Sequence, residues 1–382
     1  MVKNLLTMLF GVVIALLLAE TILRIFPSKY TRFGSDIEYR FDPDIGIILA
    51  PDQRGATWAR KCYKNSHIRT NSDGFRDDDW EVATERVRVA ILGDSFIEGL
   101  SVPDGYVIDE QLEKMSGGCT EFMNFGLSGL GTLQEYLLYE KFVRRYKPDL
   151  VLLFFVSNDV MDSSRDLRRL ARGAGELGLT TGYIDEGAVR VSRPEPREHG
   201  KGVIKLKSFL KRHCKLSVAL KDLVMHRRRA SGDPGGISLS WHVYMPSVEK
   251  EWIEAWLIVE HSLVRLDEAV REDGARLIVL TIPEYIRVCH DWRRELEESI
   301  NNPIPTGFEP YRPINRLEEI ASENGIAMVK LEPYFIAYRD EHRLDHPYFY
   351  FDCDGHMNRF GHSVLSKAIS EALGAHLGLE SQ

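Results

Sequence analysis

The chain has 382 residues, 44% of them hydrophobic and 28% charged, and a formal net charge of −8. That length suits one large domain or two ordinary ones, and the balance of apolar to charged residues excludes a disordered polypeptide. An acidic chain without a base-reading motif argues against a nucleic-acid partner. No period of about 20 to 50 residues repeats, which excludes a solenoid or propeller. The five cysteines form no CxxC pair, so no zinc ribbon or thioredoxin-type motif is present, and an odd number leaves at least one thiol unpaired.

Residues 5–26 are apolar apart from Thr7, Glu20, Thr21 and Arg24. As a helix they reach roughly 33 Å, against a hydrocarbon core of about 30 Å. Segment 1–26 is therefore expected to be a single membrane anchor. The alternatives are a cleaved signal peptide, for which Leu17-Leu18-Ala19 is a poor cleavage site, and, last, a buried core helix. Lys3 and the amino terminus place the front end in the cytoplasm, whereas Arg24, Lys29, Arg32 and Arg40 argue the reverse. Long domains translocate largely regardless of such charges, so the body of the chain is expected outside the cytoplasm. Segment 27–85 is rich in Asp, Asn, Gly and Pro, the residues of turns, and is expected to lie over the main domain.

From there the hydrophobic period alternates. Val87–Leu92 reads as a buried strand, 107–115 as a helix, 121–129 as a strand ending in a glycine-rich turn, and 132–146 as a helix stopped by Pro148. The apolar run at 149–159 is a strand buried on both faces. Further on, 248–273 is a long helix, 275–284 a buried strand, 315–325 a helix, 326–332 a strand and 360–377 a closing helix. Strand–helix alternation predicts a parallel sheet with helices on both faces, formed by 86–160 and 247–382. The intervening 161–246 gives no buried-strand signal and reads as a helical insert or cap. Within it, 201–230 carries ten Lys or Arg and one acidic residue, Asp222. That pattern is either a solvated amphipathic face or a surface for anionic lipid or an acidic polymer.

A serine nucleophile needs a base, an acid that orients the base, and donors for the oxyanion. Open α/β sheets gather such groups at the carboxyl ends of their strands. Ser95 follows the first sheet strand in "GDSF". Gly126 follows the second in "NFGLSGLG", where a backbone N–H can approach an oxyanion. Asn158 follows the third in "FFVSND" and offers an amide. His356 stands before the last helix in "FDCDGHMNRFGH", with Asp352 and Asp354 beside it. Asp94 and Asp159 are expected to brace their loops, and His362 to be structural.

These segments, in this order, resemble the SGNH/GDSL hydrolase superfamily. The resemblance implies a flavodoxin-like three-layer α/β/α fold and ester hydrolysis or acyl transfer without metal or cofactor. It implies Ser95 as nucleophile, His356 as base, and an oxyanion hole of the Ser95 and Gly126 N–H groups and the Asn158 amide. Two positions depart from the pattern: Val156 replaces a glycine, and Cys353 stands where the acid usually lies. The acid then falls to Asp354, a D-x-H spacing similar to alginate-type polysaccharide O-acetyltransferases, with Asp352 as the alternative. The implied substrate is an acyl or acetyl ester, on a glycan or lipid of the cell envelope. The rival reading is a catalytically inactive protein of the same fold that binds envelope glycan or membrane.

Overall fold

The six residues of Leu150–Phe155 are all buried, and they alternate between two separate hydrophobic clusters. Val151, Leu153 and Phe155 enter one cluster, and Leu150, Leu152 and Phe154 the other. A strand that buries both faces belongs inside a parallel sheet covered by helices on each side, which is the form of the computed structural model. It describes residues 2–25, 34–59, 62–82, 84–172, 178–195, 214–217, 219, 238–246, 248–300, 302–344, 348–351 and 355–377.

The strands used below are β1 (Tyr39–Asp42), β2 (Gly46–Leu49), β3 (Ala56–Ala59), β4 (Lys64–Ile68), β5 (Val87–Leu92), β6 (Thr120–Asn124), β7 (Leu150–Phe155), β8 (Thr181–Asp185), β9 (Ala188–Ser192), β10 (Arg276–Thr281) and β11 (Ala327–Val329). The helices used below are α1 (Val2–Ile25), α2 (Ser95–Glu98), α3 (Ile108–Met115), α4 (Thr132–Leu138), α5 (Asp159–Ser163), α6 (Arg165–Arg172), α7 (Lys250–Glu272), α8 (Tyr285–Val288), α9 (Arg312–Glu323), α10 (Glu332–Glu341) and α11 (Arg359–Leu377).

The central sheet runs β6-β5-β7-β10-β11, with all neighbours parallel. Counted along the chain this order is 2-1-3-4-5, the doubly wound order of flavodoxin-like sheets. Leu138, Trp252, Val259, Leu266 and Leu317 of α4, α7 and α9 cover one face. Leu112, Phe335, Leu365 and Ile369 of α3, α10 and α11 cover the other. Each such side chain, fully buried, contributes about 1.5–3 kcal/mol. The order reverses between β5 and β7, so the crevice at their carboxyl ends is where a sheet of this kind takes a ligand.

Several sequence expectations change. Residues 132–146 are not one helix: α4 ends at Leu138, and a π turn (Tyr139–Val143) and a 3-10 turn (Arg144–Tyr146) follow. These turns seat the Tyr139 hydroxyl and the Arg144 guanidinium on one carboxylate, Asp273, at 2.8 Å each. The expected strand 326–332 shortens to β11, and α10 takes over with Pro333 in its first turn, where a missing N–H costs nothing. The insert is not wholly helical, since β8 and β9 form an antiparallel hairpin there. Its contact is made by backbone: a Cβ on Gly182 would lie 2.8 Å from Ile258 Cγ2. The strand therefore carries little hydrophobic signal. The stretch 27–85 does more than cover the surface, because Ile45, Ile48, Ile68 and Phe75 enter the core.

The basic stretch 201–230 lies largely outside the described residues. Where it is described, the amides of Lys215 and Leu216 donate to Glu20 of α1, at 3.0 and 2.9 Å. The expected anchor coincides with α1, whose Phe10, Leu17 and Ile22 are exposed. Part of that expectation falls on side chains outside the described residues. Among the described residues no helix is long and apolar enough to cross a membrane.

Candidate active site

The exit of β5 is fixed by three neighbours of Ser95. A Cβ on Gly93 would lie 2.4 Å from Ile97 Cγ1, so only glycine lets the strand turn straight into α2. Asp94 caps that turn, its Oδ1 accepting the Phe96 N–H at 2.9 Å. Gly99 closes it in the left-handed region, at φ 61°. Ser95 is thus the first residue of a single helical turn at the carboxyl edge of the sheet. Its Oγ lies 2.9 Å from His356 Nε2, and a longer contact of 3.4 Å runs to Asp94 Oδ2. For Nε2 to accept the hydroxyl proton, the ring must carry its own proton on Nδ1.

His356 arrives on a narrow loop. The Phe351 N–H donates to the His356 carbonyl at 2.8 Å, the Gly355 N–H donates to the Phe351 carbonyl at 3.0 Å, and Tyr350 bridges to Met357. The imidazole stacks on Phe96, with centroids 5.1 Å apart. Asp352 and Asp354 lie outside the described residues. His362 is buried in α11, and burial, followed by the charges of Arg76 and His356, pulls its pKa down to about 3. It is a neutral packing group at neutral pH.

The donors differ from expectation. In the loop after β6, Phe125 N–H donates to Ile91 O, Gly126 to Asn124 Oδ1 (2.9 Å), Leu127 to Gly93 O, Ser128 to Glu98 Oε2, Leu130 to Leu127 O and Gly131 to Gln134 Oε1. The amide of Gly126 is therefore already committed. Its glycine is required by packing instead, since a Cβ would lie 2.4 Å from Glu98 N. Gly129, half-buried at φ 81°, is the loop residue whose N–H meets no acceptor among the described residues. The Ser95 N–H, an unpaired first-turn amide, is in the same condition.

Asn158 follows β7, as expected, but both arms of its amide are engaged. They donate to Asp94 Oδ2 and to Asp162 Oδ2, each at 3.1 Å. Asp162 in turn pairs with buried Arg168, and the same Arg168 Nη2 donates to the Gly129 carbonyl at 2.9 Å. One guanidinium thus ties the Gly129 loop to the Asn158 loop. Asp159 braces its own turn, its Oδ2 accepting the Val156 N–H at 2.9 Å. Burial pushes the carboxyls of Asp94, Glu135 and Asp159 above their usual range; the charge of Asp94 adds to the shifts of Glu135 and Asp159, and that of Glu135 adds to the shift of Asp159. Among the described residues, no group of three or more His, Cys, Asp or Glu is arranged to hold a metal ion.

No protein-family model matches this chain, and no curated protein matches it. Solved structures to which the chain is similar include an acetyl xylan esterase, 14% identical, covering 75% of this chain and 100% of that one, with a TM-score of 0.41. A lipase/acylhydrolase from Enterococcus faecalis is 12% identical, covering 78% and 100%, with a TM-score of 0.38. A GDSL-like lipase from Bacteroides thetaiotaomicron VPI-5482 is 15% identical, covering 76% and 89%, with a TM-score of 0.35.

Three supports were not foreseen from sequence: Arg168, Glu284 and Glu98. Glu284 accepts the Ser157 N–H at 3.1 Å and the Ser157 hydroxyl, and Arg287 Nη2 holds Glu284 at 2.7 Å. This fixes the residue next to Asn158. Glu98 accepts the N–H and hydroxyl of Ser128. Burial, working against those bonds, pushes the Glu98 carboxyl from 4.5 up to about 7. Below 4.5 the group is protonated in both the folded and unfolded chains. Between 4.5 and about 7 the unfolded chain ionises first, so stability falls as pH rises through this window and levels above it. The slope is bounded by about 1.4 kcal/mol per pH unit. Glu98→Gln is expected to remove this contribution, so its melting temperature should gain on the wild type across the window. Parallel curves of melting temperature against pH would count against the assignment.

Proposed function

We propose that the chain is a serine hydrolase of acyl esters, with Ser95 as nucleophile, His356 as general base and Asp354 as the acid behind it, Asp352 being the alternative acid. The observation that carries this reading is the 2.9 Å contact between Ser95 Oγ and His356 Nε2. It is made at the switch point of the sheet by residues far apart in the chain. Ser95 attacks the ester carbonyl as His356 takes its proton. The tetrahedral oxyanion is met by the N–H groups of Ser95 and Gly129. Asn158 serves as third donor by exchanging its bond to Asp94 for one to the oxyanion. His356 then protonates the leaving alcohol, and an acyl-Ser95 remains. Water resolves it in a hydrolase, and a sugar hydroxyl in an acyltransferase.

The SGNH/GDSL-like order of the four segments supports this chemistry and favours acyl or acetyl esters of envelope glycans or lipids as substrates. We place the body of the chain outside the cytoplasm, held by segment 1–26. The apolar run of residues 5–26 in the sequence is what supports the anchor.

The test is labelling of the full chain, kept in detergent micelles, with a fluorophosphonate probe beside Ser95→Ala. Labelling at Ser95 together with turnover of p-nitrophenyl acetate, both lost in the variant, is the expected result. A folded chain that neither labels nor turns over would reject the enzyme in favour of a binding protein of the same fold.

A further inference from the structure

Cys62 is disulfide-bonded, whereas Cys119, Cys214 and Cys289 carry free thiols. The chain has five cysteines, which leaves Cys353, a residue outside those described. We propose that a Cys62–Cys353 disulfide ties the loop that carries His356 to the β3–β4 hairpin and so holds the base against Ser95. The effect on catalysis rests on the serine-hydrolase reading, but the bond itself does not.

Neighbouring side chains bring the two segments together. The ring of Tyr63, next to Cys62, packs on that of Phe351 with centroids 4.5 Å apart. Phe351 precedes Cys353 by two residues, a span of about 7 Å when extended, comparable to the largest usual Cα separation across a disulfide. The hairpin end is itself anchored. Trp58 Nε1 donates to the Tyr63 hydroxyl at 3.2 Å, and Asn65 Nδ2 donates to the carbonyls of Leu100 and Val102 at 3.2 and 2.7 Å. Leu100 and Val102 follow directly on α2, which begins at Ser95. The hairpin is therefore fixed to the segment that presents the nucleophile. The disulfide would fix it to the loop that presents the base.

Cys353 lies three residues before His356, between the two residues whose backbones close the loop, Phe351 and His356. It occupies the position at which the SGNH-type segment usually carries its acid. A cysteine there cannot orient the imidazole as a carboxylate does. A cross-link there instead restricts the loop on which His356 and the neighbouring Asp354 are carried.

Closing the bond takes two electrons and two protons from the two thiols. A disulfide donor accepts them by thiol–disulfide exchange and leaves as a dithiol. Such a bond persists in an oxidising compartment, in keeping with a body outside the cytoplasm. A water-soluble trialkylphosphine reverses it: phosphorus takes the oxygen of one water and becomes the phosphine oxide, and the two thiols take the protons.

The experiment uses the full chain, with free thiols blocked, and begins with peptide mapping under non-reducing conditions. One cross-linked pair is expected, joining the peptides of Cys62 and Cys353. The phosphine is then applied and removed before p-nitrophenyl acetate kinetics. Reduction is expected to lower kcat about tenfold or more, as small misplacements of reacting groups do. KM and the far-ultraviolet circular dichroism should hold, and reoxidation should restore the rate. The double variant Cys62→Ser with Cys353→Ser should match the reduced chain and ignore the phosphine. A map that pairs Cys62 with another cysteine, or with a second chain, overturns the proposal. So does a reduced chain whose kcat is unchanged, or falls only as its circular dichroism is lost. If the mapped pair is found but the oxidised chain neither labels nor turns over, the hydrolase reading fails and the positioning role with it, while the bond stands.

Discussion

Ser95→Ala and His356→Ala are each expected to lower kcat by about a million-fold, and the double variant to be no slower than either alone. A serine hydroxyl is a poor nucleophile until its proton has somewhere to go, and the imidazole 2.9 Å away is that acceptor. Removing the base leaves a protonated hydroxyl. Removing the hydroxyl leaves a base with nothing to deprotonate except water. The two act as one unit, so their losses should not add. What survives is the rate supplied by the oxyanion donors and by binding, about 10³–10⁴ over the uncatalysed reaction. Steady-state kinetics read the effect once traces of active enzyme are titrated with the fluorophosphonate. A His356→Ala variant within about tenfold of wild type would make the imidazole a packing partner of Phe96 and not a base. Strictly additive losses would place the two residues in separate steps.

The parts of this site that follow from chain direction were legible in the sequence. The strand predicted at Val87–Leu92 is observed with the same limits. Its successors fall in the expected order, because buried parallel strands show themselves as unbroken apolar runs. Groups placed just after such strands come together at one edge of the sheet whatever the details. That is how Ser95 and Asn158 could be found, whereas His356 stands on the loop before the last helix.

The rest depends on tertiary contacts that leave no local mark. "GLSG" holds two glycines three apart. One is glycine because Glu98 N allows no Cβ, and the other has an amide without an acceptor among the described residues. The sequence presents them as equals. Arg168 stands in "SRDLRRLAR", where hydropathy turns every arginine outward. Helix phase decides otherwise: Ser164, Leu167 and Arg168 share one face and are buried, while Leu170 is 61% exposed. A charged residue took the inner position because Asp162 and a carbonyl were there to receive it.

Asn158→Ala is expected to lower kcat about 10²- to 10³-fold at nearly constant KM, the usual loss when one oxyanion donor is removed. Asn158→Asp should do at least as much harm, because it deletes the donors and sets a third carboxylate against Asp94 and Asp162. The amide is engaged by both of those groups, so its catalytic use requires that one bond be given up as the oxyanion forms. Asp162 is held by Arg168, which leaves the bond to Asp94 as the one to exchange. Arg168 should then behave as a positioning residue. Arg168→Met leaves Asp162 buried without its partner, at a cost of about 3–5 kcal/mol, and releases the Gly129 carbonyl as well. Its kinetics must be read well below its melting temperature, where a loss of about 10²-fold in kcat is expected from misplaced donors. Arg168→Lys supplies a charge for Asp162 but no planar fork, and should restore stability before it restores rate. Affinity for a boronate, which forms a tetrahedral adduct on the serine, separates these effects from ground-state binding. It should weaken in step with kcat in both Asn158→Ala and Arg168→Met, because the lost interactions are made only with the tetrahedral oxygen. An unchanged boronate affinity in Asn158→Ala would leave the amide as a brace between Asp94 and Asp162, and the Ser95 and Gly129 amides as the whole of the oxyanion hole.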